Sequence, residues 1–166
     1  MLVLGIDPGT AITGFGLVSE ASDGSLKVVE FGSILTPAEL PMPNRLSILF
    51  QRLNEIILLH QPDTGAVEKL FFQRNVTTAI SVGEARGIAL LSLALANKPV
   101  AEYTPLEVKQ AICGYGRAEK PQIQKMVQAI LGLAEIPQPD DAADALAIAI
   151  CHINSQAFHS KVEATI

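Results

Sequence analysis

Four carboxylates, Asp7, Glu68, Asp141 and Asp144, stand where strands or helices begin or end. Asp7 and Glu68 each follow an apolar residue of a strand-like run, Ile6 and Val67, so each is an acid emerging from the core. Asp141 and Asp144 are three apart at the start of a helical segment and can face one way. Buried carboxylates are costly unless they pair or bind a metal. Four of them with no Cys or His cluster suit hard, oxygen-seeking cations, Mg²⁺ or Mn²⁺. Two such ions form the standard device for in-line phosphodiester hydrolysis, one activating water and the other stabilising the leaving oxygen.

Each acid also has an ordinary reading. Asp141 and Asp144 in a first helical turn complement the helix dipole. Asp7 precedes Pro8-Gly9 and can form a turn, and Glu68 can pair with a lysine at a strand end. The four together favour a site. A second pattern supports it. Between Lys69 and Lys125 there are eight Lys and Arg against four Glu, within a chain of net charge −5. Lys109, Arg117, Lys120 and Lys125 lie on or between two consecutive helical segments, where they can meet phosphates beside a metal. A solvated helix face is the plainer account of the same charges. Phe71, Phe72 and Arg74 follow Glu68 in a loop, and a loop aromatic there can stack on a base or wedge a junction, or can belong to the core. His60, His152 and His159 carry no pattern. His152, eight residues beyond Asp144, is displaced by ~12 Å along a helix and does not share its metal.

These residues need elements to position them. Leu2–Asp7, Thr13–Ser19 and Leu26–Leu35 read as strands, with Ser22-Asp-Gly-Ser25 as a hairpin turn. Leu46, Leu49, Phe50, Leu53, Ile56 and Ile57 repeat with helical spacing, predicting a helix over 45–60 that ends at Pro62. Thr64–Glu68 is a short strand, 69–75 a loop, and 76–96 a long apolar helix whose small residues, Ala79, Gly83, Ala85, Gly87 and Ala89, suit close packing. A strand over 100–103, a helix from Pro105 to about Cys113, a break at Gly114-Tyr-Gly116 and a helix over 120–133 follow. Pro137-Gln-Pro139 is a rigid link, and Asp140 is suited to cap a last helix reaching about Phe158. Three antiparallel strands followed by alternating helices and strands give one α/β domain with a mixed five-stranded sheet over residues 1–158, leaving 159–166 as a short tail.

Composition bounds the rest. The 166 residues amount to one domain; they are 49% hydrophobic and 17% charged, which excludes a disordered chain. The acidic balance argues against a protein that coats nucleic acid non-specifically. Cys113 and Cys151, far apart in no metal or redox spacing, read as core thiols in a reducing, cytoplasmic setting. The early Asp7 argues against a signal peptide, and no apolar run reaches the ~20 residues of a membrane helix.

Several motifs together are similar to one family. Gly5-Ile-Asp-Pro-Gly-Thr10, Val67-Glu68, Ala85-Arg-Gly87, the segment Tyr103–Gln110, Gly114-Tyr-Gly-Arg-Ala-Glu-Lys120 and Asp141-Ala-Ala-Asp-Ala-Leu-Ala147 resemble RuvC, the bacterial Holliday-junction resolvase family. The first motif is weak alone; the Asp-Ala-Ala-Asp motif, with the glycine-flanked Ala-Glu-Lys segment before it, is specific. The resemblance extends to about His152. It implies an RNase H-like fold and a homodimer that places two symmetric nicks in a four-way DNA junction, in recombination and repair. It implies two Mg²⁺ (or Mn²⁺) ions per site, and partnership with the RuvA and RuvB branch-migration motor. The family's catalytic and metal-binding carboxylates fall on Asp7, Glu68, Asp141 and Asp144, its junction-contacting Phe on Phe71, and its functional lysines on Lys109 and Lys120. On this reading Lys120 is catalytic and also touches DNA, with Arg74 and Arg117 further DNA contacts. The tail departs from the family: Val162-Glu-Ala-Thr-Ile166 stands where a basic extension is common.

Three rivals remain at this level. A nucleotide-binding enzyme of the actin and sugar-kinase type shares the Gly-Ile-Asp-x-Gly-Thr loop but needs a second domain. A related nuclease would cut RNA or RNA–DNA hybrids. A non-catalytic junction-binding module would need no intact quartet. For the dimer contact, the apolar stretch Ile88–Ala96 is a candidate, with the core as its competing destination.

Overall fold

The computed structural model describes residues 1–69 and 76–163, with side chains described at 1–69 and 79–157. Strands β1 (Leu2–Asp7), β2 (Ile12–Glu20) and β3 (Leu26–Leu35) form an antiparallel meander, followed by α1 (Met42–His60), β4 (Thr64–Glu68), α2 (Val76–Leu95), β5 (Val100–Tyr103), α3 (Pro105–Cys113), α4 (Lys120–Leu131) and α5 (Asp140–Glu163). The sheet order is β3-β2-β1-β4-β5, with β4 and β5 parallel to β1. The expected mixed five-stranded sheet is therefore present, and β1 lies at its centre.

Side-chain parity divides the core in two. Successive strand residues point to opposite faces. Leu4, Ile6 and Val67 pack with Leu49, Leu53 and Ile57 of α1 and Ala85, Ala89 and Leu93 of α2. Val3 and Ala66 pack on the other face, with Val108, Ile123, Val127 and the α5 residues Leu146–Cys151. Asp7 shares the parity of Val3, and Glu68 that of Ala66. Because Ile6 pairs with Val67 in the parallel β1–β4 ladder, the next residues, Asp7 and Glu68, leave adjacent strand ends on the α5 face.

Helix α5 lies unusually low on the sheet. A Cβ on Gly5 would overlap the Ala145 carbonyl, and one on Gly16 would meet Leu146. Glycine within a strand costs stability, and here the missing side chains are what admit the helix backbone. The residues of α5 between Ala142 and Ile150, other than Asp144, are essentially fully buried.

The helix boundaries depart from the expected ones where apolar spacing carries no information. Helix α1 begins three residues early, because Pro43 sits in its first turn, where a missing N–H is harmless. Helix α4 stops at Leu131, with Gly132 in the left-handed conformation at φ 62°. Helix α5 continues past Phe158 to Glu163. Asp140 is not its cap: it is the first helical residue, and the Ala142 N–H donates to the Pro139 carbonyl. In α2, Ala85 and Ala89 are buried as close packing requires, but Gly87 faces open space. The outer side of the Ile88–Ala96 stretch is also free: Leu91 and Leu95 are exposed, while Ala89, Ser92 and Leu93 are buried. Among the described residues, no helix is long and apolar enough to cross a membrane.

Candidate active site

Asp7, Glu68 and Asp144 line one cavity of about 240 Å³, together with Lys109, Lys120, Pro105, Val108, Ile123 and Ala147. Five elements meet there. Strands β1 and β4 bring the two acids by parity, and α5 brings Asp144 over them. Helix α3 follows β5 after one residue, Thr104, whose side chain accepts from the Glu107 N–H at 3.2 Å while the Glu107 carboxylate accepts from the Thr104 N–H at 2.7 Å. This reciprocal cap sets the direction of α3 and with it Lys109. Lys120 is the first helical residue of α4. Its ammonium lies 3.1 Å from Asp144 Oδ2 and 3.3 Å from Asp140 Oδ2.

The electrostatics are those of crowded acids. Burial, then the charges of Glu68, Asp144 and Asp141, push the Asp7 carboxyl up to about 8, against a smaller downward pull from Lys120. Burial and the nearby Asp144 push Glu68 up to about 7, with Lys109 opposing. Asp144 is raised chiefly by burial, although its hydrogen bond from Lys120 pulls the other way. The group cannot hold all its negative charge in a partly dry cavity without cations. The donors are all oxygen, which fits a hard divalent ion in kind and in shared location. They are not closed into a cage: among the described residues no three His, Cys, Asp or Glu side chains stand in a metal-holding cluster.

The expected quartet is thus assembled in part. Asp141 does not line the cavity, though its charge reaches Asp7. Lys109 and Lys120 line it, whereas Arg117 is exposed in the α3–α4 connection. Phe71, Phe72 and Arg74 lie outside the described residues. His152, without pattern in the sequence, is buried, and its Nδ1 is 2.8 Å from the Tyr103 hydroxyl. Tyr103 is the register partner of Glu68, so this contact ties the end of β5 to α5 beside the site. Cys151 is buried and Cys113 half-buried, and neither forms a disulfide. Sequence reasoning also missed Gly14, the partner of Asp7 in the β1–β2 ladder, whose signal was a glycine inside a strand.

An antiparallel meander continued by two parallel strands, with carboxylates at the central strand ends and on the last helix, defines an RNase H-like nuclease. A family model for "Crossover junction endodeoxyribonuclease RuvC" matches residues 3–152. A protein of that description from Syntrophomonas wolfei is 54% identical over 166 residues, covering 99% of this chain and 95% of that one. The Thermus thermophilus RuvC structure superposes with a TM-score of 0.89 at 37% identity, over 96% of this chain and 97% of the other. T. thermophilus RuvC in complex with a Holliday junction substrate gives 0.87 at 34% identity, over 95% and 96%. The chain belongs to the RuvC family, whose members are described as crossover junction endodeoxyribonucleases.

Proposed function

We propose that this protein resolves four-way (Holliday) DNA junctions in recombination and repair, by two symmetric metal-dependent phosphodiester cleavages. The observation that carries this reading is the meeting of Asp7, Glu68 and Asp144 in one cavity rimmed by Lys109 and Lys120. Family membership and the likeness to a RuvC bound to a Holliday junction support the substrate.

Asp7, Glu68, Asp141 and Asp144 are the residues that would hold two divalent cations. The chemistry that Mg²⁺ or Mn²⁺ would supply there is an activated water and a counter-charge for the leaving oxygen. The remaining work falls to the chain. The strand ends orient the acids, and the apolar wall of Val108, Ile123 and Ala147 limits water around them. Lys120 stabilises charge on the scissile phosphate, and Lys109 holds the backbone beside it. Attack in line breaks the bond to the 3′ oxygen, leaving a 5′-phosphate and a 3′-hydroxyl that a ligase can join. Phe71 stacks at the crossover, and Arg74 and Arg117 contact the DNA backbone.

Paired cuts need two sites related by a two-fold axis, hence a homodimer. Ile80, Leu91 and Leu95 of α2 are exposed and fall on one helical stripe, which supports this face as the contact. The RuvA–RuvB motor is the partner that family membership suggests, and the unpaired thiols suit the cytoplasm.

The decisive experiment mixes the purified protein with an end-labelled synthetic four-way junction, with and without Mg²⁺ or Mn²⁺, beside linear duplex and an RNA–DNA hybrid. Paired, symmetric, metal-dependent nicks in the junction alone are expected. Cutting of the hybrid instead would make the protein an RNA-directed nuclease. Binding without cleavage in either metal would make it a junction-binding module.

A further inference from the structure

Lys120 meets two carboxylates, and only one of them belongs to the quartet. Asp140 is exposed and lies at the first position of α5, outside the cavity. Its two oxygens are nevertheless both engaged, and both by α4. Oδ2 faces the Lys120 ammonium at 3.3 Å, and Oδ1 accepts from Gln124 Nε2 at 2.8 Å. Lys120 and Gln124 are four residues apart and share one face of α4. The Asp140 carboxylate is therefore oriented by one turn of α4, and it presents a fixed oxygen to the lysine.

We propose that Asp140 is a positioning residue for Lys120: it holds the ammonium at the rim of the site when Asp144 turns from the lysine to a divalent cation. The proposal rests on the nuclease reading above. Lys120 is shared between Asp140 and Asp144. A cation on Asp144 competes with the ammonium for the same oxygens and repels it. A lysine has four rotatable side-chain bonds, and without a second anchor it would swing into solvent. Asp140 supplies that anchor from the same helix as Asp144, one turn back. An exposed ion pair adds little to stability, so the arrangement matters for where Lys120 stands and not for whether the chain folds.

Asp140→Asn keeps the side-chain shape and removes the charge; Asp140→Glu restores it. The measurements are single-turnover cleavage of a four-way junction in saturating Mg²⁺, junction affinity, and the order parameter of the Lys120 ammonium by ¹⁵N NMR on the DNA-free protein with and without Mg²⁺. Asp140→Asn should slow cleavage by about tenfold, the lower end for loss of an outer partner, with affinity within about twofold of the parent. The ammonium should become more mobile, Asp140→Glu should recover part of the rate, and Asp140→Asn should add nothing to Lys120→Ala. An unchanged rate and unchanged ammonium order in Asp140→Asn would overturn the proposal. So would independent losses that multiply in the double variant. If the parent protein does not cut junctions, the nuclease reading fails, and the ammonium mobility still decides whether Asp140 anchors Lys120.

Discussion

A Cβ on Gly14 would overlap the carbonyl of Asp141. Gly14 is also the ladder partner of Asp7, so beside the end of the central strand only a hydrogen atom separates β2 from the first turn of α5. This close approach lets the first turn of α5 lie over the strand ends that carry Asp7 and Glu68.

Gly14→Ala should therefore cost stability and activity together. Overpacking against backbone destabilises by about 1–3 kcal/mol, and the carbonyl cannot swing aside as a side chain could. The expected result is a lowered thermal midpoint and reduced cleavage at temperatures where the variant is still folded. Full activity at an unchanged midpoint would show that α5 does not rest on this strand as described.

Asp7→Asn separates chemistry from folding. Burial and the neighbouring acids push the Asp7 carboxyl up to about 8, which favours its protonated form at neutral pH in the metal-free protein, and asparagine imitates that neutral form. The metal-free thermal midpoint should hold or rise slightly. Junction binding should persist, while cleavage should fall by more than the roughly 100-fold typical of an outer-shell partner. Loss of binding and folding together would indicate a structural role.

The same acids set a pH dependence for the metal-free protein. Folding raises Asp7 from 3.8 to about 8 and Glu68 from 4.5 to about 7, so the folded state takes up protons. The stability this confers is fully present below about pH 4 and is lost as pH rises through 7 and 8. Thermal midpoints without metal should fall between pH 5 and pH 8.5, and Mg²⁺ should reduce the fall by countering the exposed charge. A midpoint that rises with pH across this range would contradict the burial of these acids.

Leu91→Glu tests the proposed dimer face. Leu91 is 47% exposed in the single chain, so the change should alter folding by no more than about 0.5 kcal/mol. Sedimentation should show a folded monomer, and junctions should receive single nicks in place of paired ones. A dimer that survives the charge would move the contact elsewhere.

Lys109→Ala should weaken junction binding and lower the steepness of its salt dependence by about one unit, the signature of one lost phosphate contact. An unchanged salt slope would remove Lys109 from the DNA surface and leave it a charge beside Glu68.

Much of this was legible along the chain. All five strands and the alternation that follows them show in apolar spacing, because strand period and helix period differ. The candidate site residues were legible too: an acid that ends an apolar strand run stands out, because a buried carboxylate is costly unless it is paired or binds a metal. Boundaries set by Pro43 and Gly132 were less so, since caps depend on backbone geometry and not on burial. The role of Asp140 was misread for the same reason. A residue suited to a cap became a helical residue facing α4.

Sequence alone determined which residue types were available for chemistry and the order in which they arrive, because periodicity and turn chemistry are local properties. Tertiary structure decided which of them meet. The register of β1 against β4 places Asp7 beside Glu68 on the α5 face; a slip of one residue would send either acid to the opposite side. The glycines at 5, 14 and 16 set how low α5 sits, and that depth gives Asp144, rather than Asp141, a wall of the cavity. Whether Lys120 faces one acid or two depends on how α4 leans on α5. Contacts between elements far apart in the chain depend on packing and register, which no short stretch of residues encodes.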